Sequence, residues 1–233
     1  GKFGGDTDNW MWPRHTGDFS IFRVYAGEDN EPAAYSEKNV PYRPKKFFKI
    51  NARGIKEGDF TMVYGFPGST REYLFSDAVK YTAYTSNPHK IALRTLRLNI
   101  QKEEMNKDQA VRIKYASKQA SVANAWKKWQ GEAKGIIKNH AVENKQAFEA
   151  KFDEWAKGKP EYEGLVARFK ELYASIEELS LVQDYQTEAL NAVEIIGFAG
   201  RGQRGAEKFH KDYYMPIDKA CFIALYNAYN KNI

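Results

Sequence analysis

The chain has 233 residues, of which 42% are hydrophobic and 28% charged, with a net charge of +6. That is ordinary for one large or two small hydrophobic cores, and it excludes a disordered or collagen-like chain. No apolar run approaches the roughly 18 residues of a membrane span. Lys and Arg alternate with Asp and Glu along the sequence, so no single-sign block marks a nucleic-acid footprint.

Taken in chain order, the opening GKFGG has no Met, basic n-region or apolar h-region, and reads as an excised piece with any targeting signal elsewhere. Residues 4–25, GGDTDNWMWPRHTGDFSIFRVY, bring Asn9, Trp10, Trp12, His15 and several Asp ahead of an apolar alternation. Gly17 and Asp18 would suffice to start a strand, so the rest is surplus to that need. Phe19, Ile21, Arg23 and Tyr25 alternate with Ser20, Phe22 and Val24, and residues 41–50, 58–66 and 71–81 read as further strands separated by Gly-, Pro- and Asp-rich turns. Short strands with such punctuation predict an antiparallel barrel or sandwich.

From Asn87-Pro88, which resembles a helix cap followed by proline in the first turn, the period becomes helical. Val111, Tyr115, Val122, Trp126 and Trp129 share one face; Phe148, Phe152 and Trp155 share another. Leu165, Phe169, Leu172, Ile176 and Leu179 keep four-three spacing, which predicts long antiparallel helices packed in coiled-coil fashion. Breaks are predicted at Gly131 to Gly135, at residues 158–164 and at residues 197–205, with a last helix from about Pro216 to Asn230. The fold class is therefore α+β, a partial antiparallel β-barrel over 1–83 followed by a mostly α-helical domain over 84–233. Open sheet edges are an aggregation liability, so the barrel is expected to be completed by sequence beyond these residues.

Cys221 is alone, which rules out an internal disulfide, and its helical neighbours Ile217, Ala224 and Ala228 predict a buried structural thiol. His15, His89, His140 and His210 never fall in the close pairs of zinc motifs, so neither metal nor cofactor is expected. Taken singly, Asp18 is a turn acceptor or a carboxylate at a strand mouth, Trp10 and Trp12 are packing residues, and Asn9 is a turn residue. His15 lies three residues before Asp18, but a catalytic base usually comes from elsewhere in a fold. Lys127, Lys128, Trp126, Trp129 and the loop GRGQRG leave a basic, aromatic nucleic-acid surface as an alternative, disfavoured because the Trp residues follow the core period.

Taken together, GGDTDNWMWPRHTGDFSIFRVY, EGDFTMVYGFPG, NPHKIALRTLRLNI and ASVANAWKKW, in that order, closely resemble the bacterial serine dipeptidyl-peptidases of the seven and eleven types, peptidase family 46. The resemblance covers nearly all of the chain, with its most specific motifs in the first 130 residues. It implies a chymotrypsin-like two-barrel catalytic domain carrying an inserted helical domain, and release of dipeptides from the free N-terminus of peptides. Asp18 matches the triad carboxylate, which would orient the catalytic His and stabilise its imidazolium. Asn9, Trp10 and Asn124 match residues that hold the substrate's α-ammonium. The stripe Ile113, Ser117, Ala120 and Asn124 is mostly small, which lets another surface approach.

The family's catalytic His and nucleophilic Ser are expected outside this segment: Ser69, in GFPGST, matches a barrel turn, and neither it nor His15 is read as a triad member. The isolated chain is accordingly expected to be inactive. The resemblance further implies peptide partners with a free N-terminus, a homodimer for the full-length protein, neither nucleic acid nor membrane span, and a periplasmic or cell-surface location in a Gram-negative bacterium. A relative that keeps only peptide binding is the other alternative.

Overall fold

A computed structural model describes residues 2–4, 8–11, 13–62, 64–65, 68, 71–200 and 206–233, with the backbone alone at Lys2, Asp18 and 206–208. The chain divides into two compact units, one formed by Gly1–Thr7 with His15–Arg71 and the other by Asp8–Arg14 with Glu72–Ile233. The short segment Asp8–Arg14 thus belongs to the second unit although both its flanks belong to the first.

In the first unit, β1 (Lys2–Phe3) pairs antiparallel with β2 (Gly17–Asp18), and β3 (Tyr25–Ala26) pairs antiparallel with β4 (Val40–Pro41). Asn30 holds the second hairpin: its Oδ1 accepts from Arg43 N at 2.7 Å and its Nδ2 donates to Arg43 O at 3.1 Å. The predicted strand over 19–25 is ladder only at Tyr25, and residues 41–50 only at Pro41. Ile21, Phe22, Phe48, Ile50 and Phe60 stand in solvent, and Ala26 is the one buried residue of this unit among the described residues. Alternation supplies a strand with two faces but not with a partner, and two-stranded ribbons are marginal without a third strand or a covering layer.

The second unit is helical: α1 (Ser76–Tyr81), α2 (Asn87–Lys107), α3 (Gln109–Lys138), α4 (Ala141–Ala156), α5 (Leu165–Tyr185), α6 (Glu194–Ala199), α7 (Ala206–Asp212) and α8 (Met215–Asn232). The predicted strand over 71–81 is instead α1 from Ser76. Ser76, Val79, Ala83 and Ser86 are all buried at helical spacing, and Glu149 of α4 accepts from both the backbone N and the Oγ of Ser76 at 2.6 Å. A π-helical turn over Thr82–Ser86 carries α1 straight into α2. Asn87 is therefore no cap; it is buried, and its Nδ2 donates to Glu132 of α3 at 3.0 Å. This continuous helical run begins ahead of the boundary expected at 83/84.

Asp108 alone separates α2 from α3 and caps the latter, its carboxylate accepting from Ala110 N at 2.7 Å. The cross-links Asn87–Glu132, Arg94–Val122 and Thr95–Trp126 run in opposite chain directions, which makes the pair an antiparallel hairpin. Thirty residues give α3 a length of about 45 Å. It passes through Gly131 and Gly135 unbroken, contrary to the predicted break: a helical glycine costs only about 1 kcal/mol, which packing along a long hairpin outweighs.

The core joins Leu93 and Met105 of α2, Val111 and Tyr115 of α3, Tyr185, Ala189 and Val193, and Ile217, Cys221 and Leu225 of α8. The α5 seam is only partly covered. Phe169 stacks on Phe75 at 4.1 Å between ring centroids, while Leu172, Ile176 and Leu179 remain exposed, so a coiled-coil partner for that stretch is absent among the described residues. The predicted last helix is present as α8.

Candidate functional site

The sequence-predicted residues Asn9, Trp10 and Asn124 meet. Asp8–Met11 forms a turn closed by Met11 N donating to Asp8 O at 3.0 Å, with Arg14 at 3.7 Å from the Asp8 carboxylate. At its apex Trp10 has φ of 61°, a left-handed backbone that an L-residue with a bulky side chain adopts at a cost of about 1–2 kcal/mol. Glycine would remove the strain but also the ring, and the ring is used. Its Nε1 donates to Asn124 Oδ1 at 2.8 Å, and Asn9 Nδ2 donates to the same oxygen at 3.1 Å.

This node has a polarity that the indole sets. An indole nitrogen only donates, so the Asn124 atom facing it is the oxygen. The Asn9 atom facing that oxygen is then the amide nitrogen. Asn9 Oδ1 is left on the opposite side of its amide as an acceptor, and Asn124 Nδ2 as a donor. Asn124 is exposed and Trp10 is 48% exposed, so the node is open to solvent.

The helix that presents Asn124 is clamped on its other face. Arg94 of α2 forms a two-point ion pair with the buried Glu188, Nε to Oε2 at 2.8 Å and Nη2 to Oε1 at 2.9 Å, and its Nη1 donates to Val122 O at 3.0 Å. One turn on, Trp126 Nε1 donates to Thr95 Oγ1 at 2.9 Å. The Trp129 ring carries the Arg94 guanidinium at 4.4 Å and the Lys90 ammonium at 4.7 Å. Val122 is buried, and with Trp126 it holds α3 in one rotation about its axis, with Asn124 turned away from α2. Trp126 and Trp129 are thereby engaged inside the helical unit, which withdraws them from the basic, aromatic surface considered as an alternative.

Asp18 lies in β2 with its backbone opposite Lys2, and its side chain lies outside the described residues. Trp12 and Ser69 also lie outside them. His15 is exposed in the first unit. Ile113, Ser117 and Ala120, the stripe leading to Asn124, are exposed along α3. Cys221 is buried in the core and burial pushes its thiol up to about 11, which fits a structural thiol and not a nucleophile. Among the described residues no three His, Cys, Asp or Glu side chains group as a metal site, and no helix is long and apolar enough to cross a membrane.

Sequence reasoning missed Arg94, which clamps α3 through Val122 O, and Gly131, where a Cβ would lie 3.2 Å from the Trp10 carbonyl oxygen. The only signal for Gly131 was its spacing of seven from Asn124, which puts both on one face of a helix.

Comparison with known proteins places the chain in a family. The chain matches the Peptidase S46 family over residues 1–215 and belongs to that family. It is 52% identical over 191 residues to the Asp/Glu-specific dipeptidyl-peptidase of Capnocytophaga gingivalis, covering 81% of this chain and 27% of that protein. It is 38% identical over 250 residues to dipeptidyl-peptidase 7 of Porphyromonas gingivalis, covering 100% of this chain and 35% of that protein. Among solved structures, Porphyromonas endodontalis DPP11 in complex with the dipeptide Arg-Asp matches with a TM-score of 0.78 at 36% identity, covering 100% of this chain and 37% of that one. The chain thus spans about a quarter to a third of the length of the relatives it matches.

Proposed function

We propose that this chain is the part of a serine-type dipeptidyl-peptidase that receives the free amino terminus of a peptide and carries the triad carboxylate. Membership of the Peptidase S46 family and the likeness to dipeptidyl-peptidases support the class. The observation that carries the site is the convergence of Asn9, Trp10 and Asn124 on one amide oxygen. Asn9 Oδ1 accepts from the α-ammonium, while the indole beside it excludes water and adds a cation–π attraction. A fixed stop for the amino terminus, two residues from the attacked carbonyl, turns binding energy there into correct placement of the scissile bond.

In this reading the β unit is part of a chymotrypsin-like barrel and the helical unit is the lid inserted in it. The exposed apolar side chains Ile21, Phe22, Phe48 and Phe60 are then barrel positions that further strands cover. Asp18 accepts the Nδ1–H of the catalytic His, keeps the reactive tautomer and stabilises the imidazolium as Ser attacks. The His and Ser come from outside these 233 residues, the isolated chain does not turn over substrate, and the intact enzyme acts as a homodimer in the periplasm or at the cell surface.

The test is made in the complete protein. Asn124→Ala raises KM for release of a dipeptide from a fluorogenic substrate, with an unchanged circular dichroism spectrum. Asp18→Asn lowers kcat by about 10⁴ with little change in KM. Unchanged kinetics for Asn124→Ala would remove the amino-terminus role, and unchanged kcat for Asp18→Asn would remove the triad role.

A further inference from the structure

Gly131 stands seven residues beyond Asn124 on α3, so both lie on the face that meets the turn at Asp8–Met11. A Cβ built on Gly131 would come within 3.2 Å of the Trp10 carbonyl oxygen and 3.9 Å of Trp10 Cβ. The first distance is tighter than nine in ten real contacts of that type, so the neighbour must give by a few tenths of an ångström, and the atom opposing it is backbone. The turn cannot yield cheaply, because Trp10 already holds a left-handed φ of 61° and its indole is tethered to Asn124. Gly135, one turn further along the same helix, has no atom within 4 Å of where its Cβ would lie. The two glycines thus differ in what they face and not in the helix they occupy.

We propose that Gly131 is a positioning residue for the amino-terminus site: the missing side chain lets the Asp8–Met11 turn dock flat on α3, and that docking sets the Asn9 and Trp10 side chains against Asn124. The turn is held at two points of one helix face, by hydrogen bonds at Asn124 and by backbone contact at Gly131. Filling the second point tilts the turn about the first. This rests on the reading of the node as the receiver of the substrate's α-ammonium, and extends it to a residue that touches no substrate.

The experiment compares Gly131→Ala with Gly135→Ala. In the ¹⁵N-Trp-labelled complete protein, the Trp10 indole N–H resonance, assigned with Trp10→Phe, reports the node. Gly131→Ala shifts that resonance upfield and speeds its exchange with solvent, and Gly135→Ala leaves it in place. In the complete protein, Gly131→Ala raises KM for a dipeptide substrate about tenfold, corresponding to the weakening of a hydrogen-bonded contact, with kcat within twofold and no fall in melting temperature. A merely structural defect would lower the melting temperature and would not split KM from kcat. If the two variants give the same indole spectrum, the docking role is overturned. If the indole moves but KM does not, the docking stands and the amino-terminus assignment of the node is overturned.

Discussion

The indole nitrogen of Trp10 and the side-chain oxygen of Asn124 lie 2.8 Å apart, joined across 114 residues of chain. The bond does more than tie a turn to a helix. It decides which end of two asparagine amides faces outward, and so whether each presents an acceptor or a donor to solvent.

Trp10→Phe keeps a ring at this place and removes its only donor. Without it the Asn124 and Asn9 amides are free to turn over. In the complete protein kcat/KM for dipeptide release should fall about two- to tenfold, the range expected for one neutral hydrogen bond. A steady-state comparison with wild type checks this.

Arg94 and Glu188 form a nearly buried pair with side-chain exposures of 17% and 7%. Removing one partner strands the other charge. Arg94→Leu should therefore cost about 3–5 kcal/mol in urea unfolding, and the double variant Arg94→Leu/Glu188→Leu should recover most of that loss. A double variant no more stable than Arg94→Leu would show that the contact to Val122 O is what matters.

Gly135→Ala should stabilise the chain by about 0.8–1 kcal/mol. The position is inside a long helix, a methyl group there meets nothing, and alanine exceeds glycine in helix propensity by that amount. Urea unfolding midpoints at constant slope measure the gain.

Burial pushes the Cys221 thiol up to about 11 from an ordinary value of 9.0. The folded state thus holds this proton more tightly than the unfolded one. Its contribution is complete below pH 9 and is lost as pH climbs through 9 to 11, by on the order of 3 kcal/mol in total. Tyr81 and Tyr185 shift in the same direction, chiefly through desolvation, and add to the alkaline loss. Unfolding free energies for wild type and Cys221→Ala, measured across that range, should converge as pH rises if alanine forfeits packing that is constant and spares the alkaline term.

Much of the helical unit is legible in the order of its side chains. Val111, Tyr115 and Val122 announce a helix face by their period, and all three are buried. The same logic misreads 71–81, where apolar and polar residues over a short window fit either period, and the burial of Ser76, Val79 and Ala83 against the neighbouring helices selects the helix. It also misreads Gly131 as a break. A local propensity of about 1 kcal/mol carries no information about the Trp10 carbonyl oxygen that lies against this glycine. The apolar alternation after Asp18 is legible as a pattern, but a strand is a relation between two segments, and pattern alone does not supply the second.

Residue order alone determined the chain's composition class, the period of its long helices, the burial of its single thiol, and the motifs that place it among peptidases. Tertiary structure alone decided that a turn at residues 8–11 leaves its neighbours in sequence to join the helices, and that Asn9, Trp10 and Asn124 share one oxygen. The physical reason is range. Periodicity and propensity act within a few residues, whereas the orientation of an amide is set by whichever donor folding brings to it, and here that donor comes from 114 residues away in the chain.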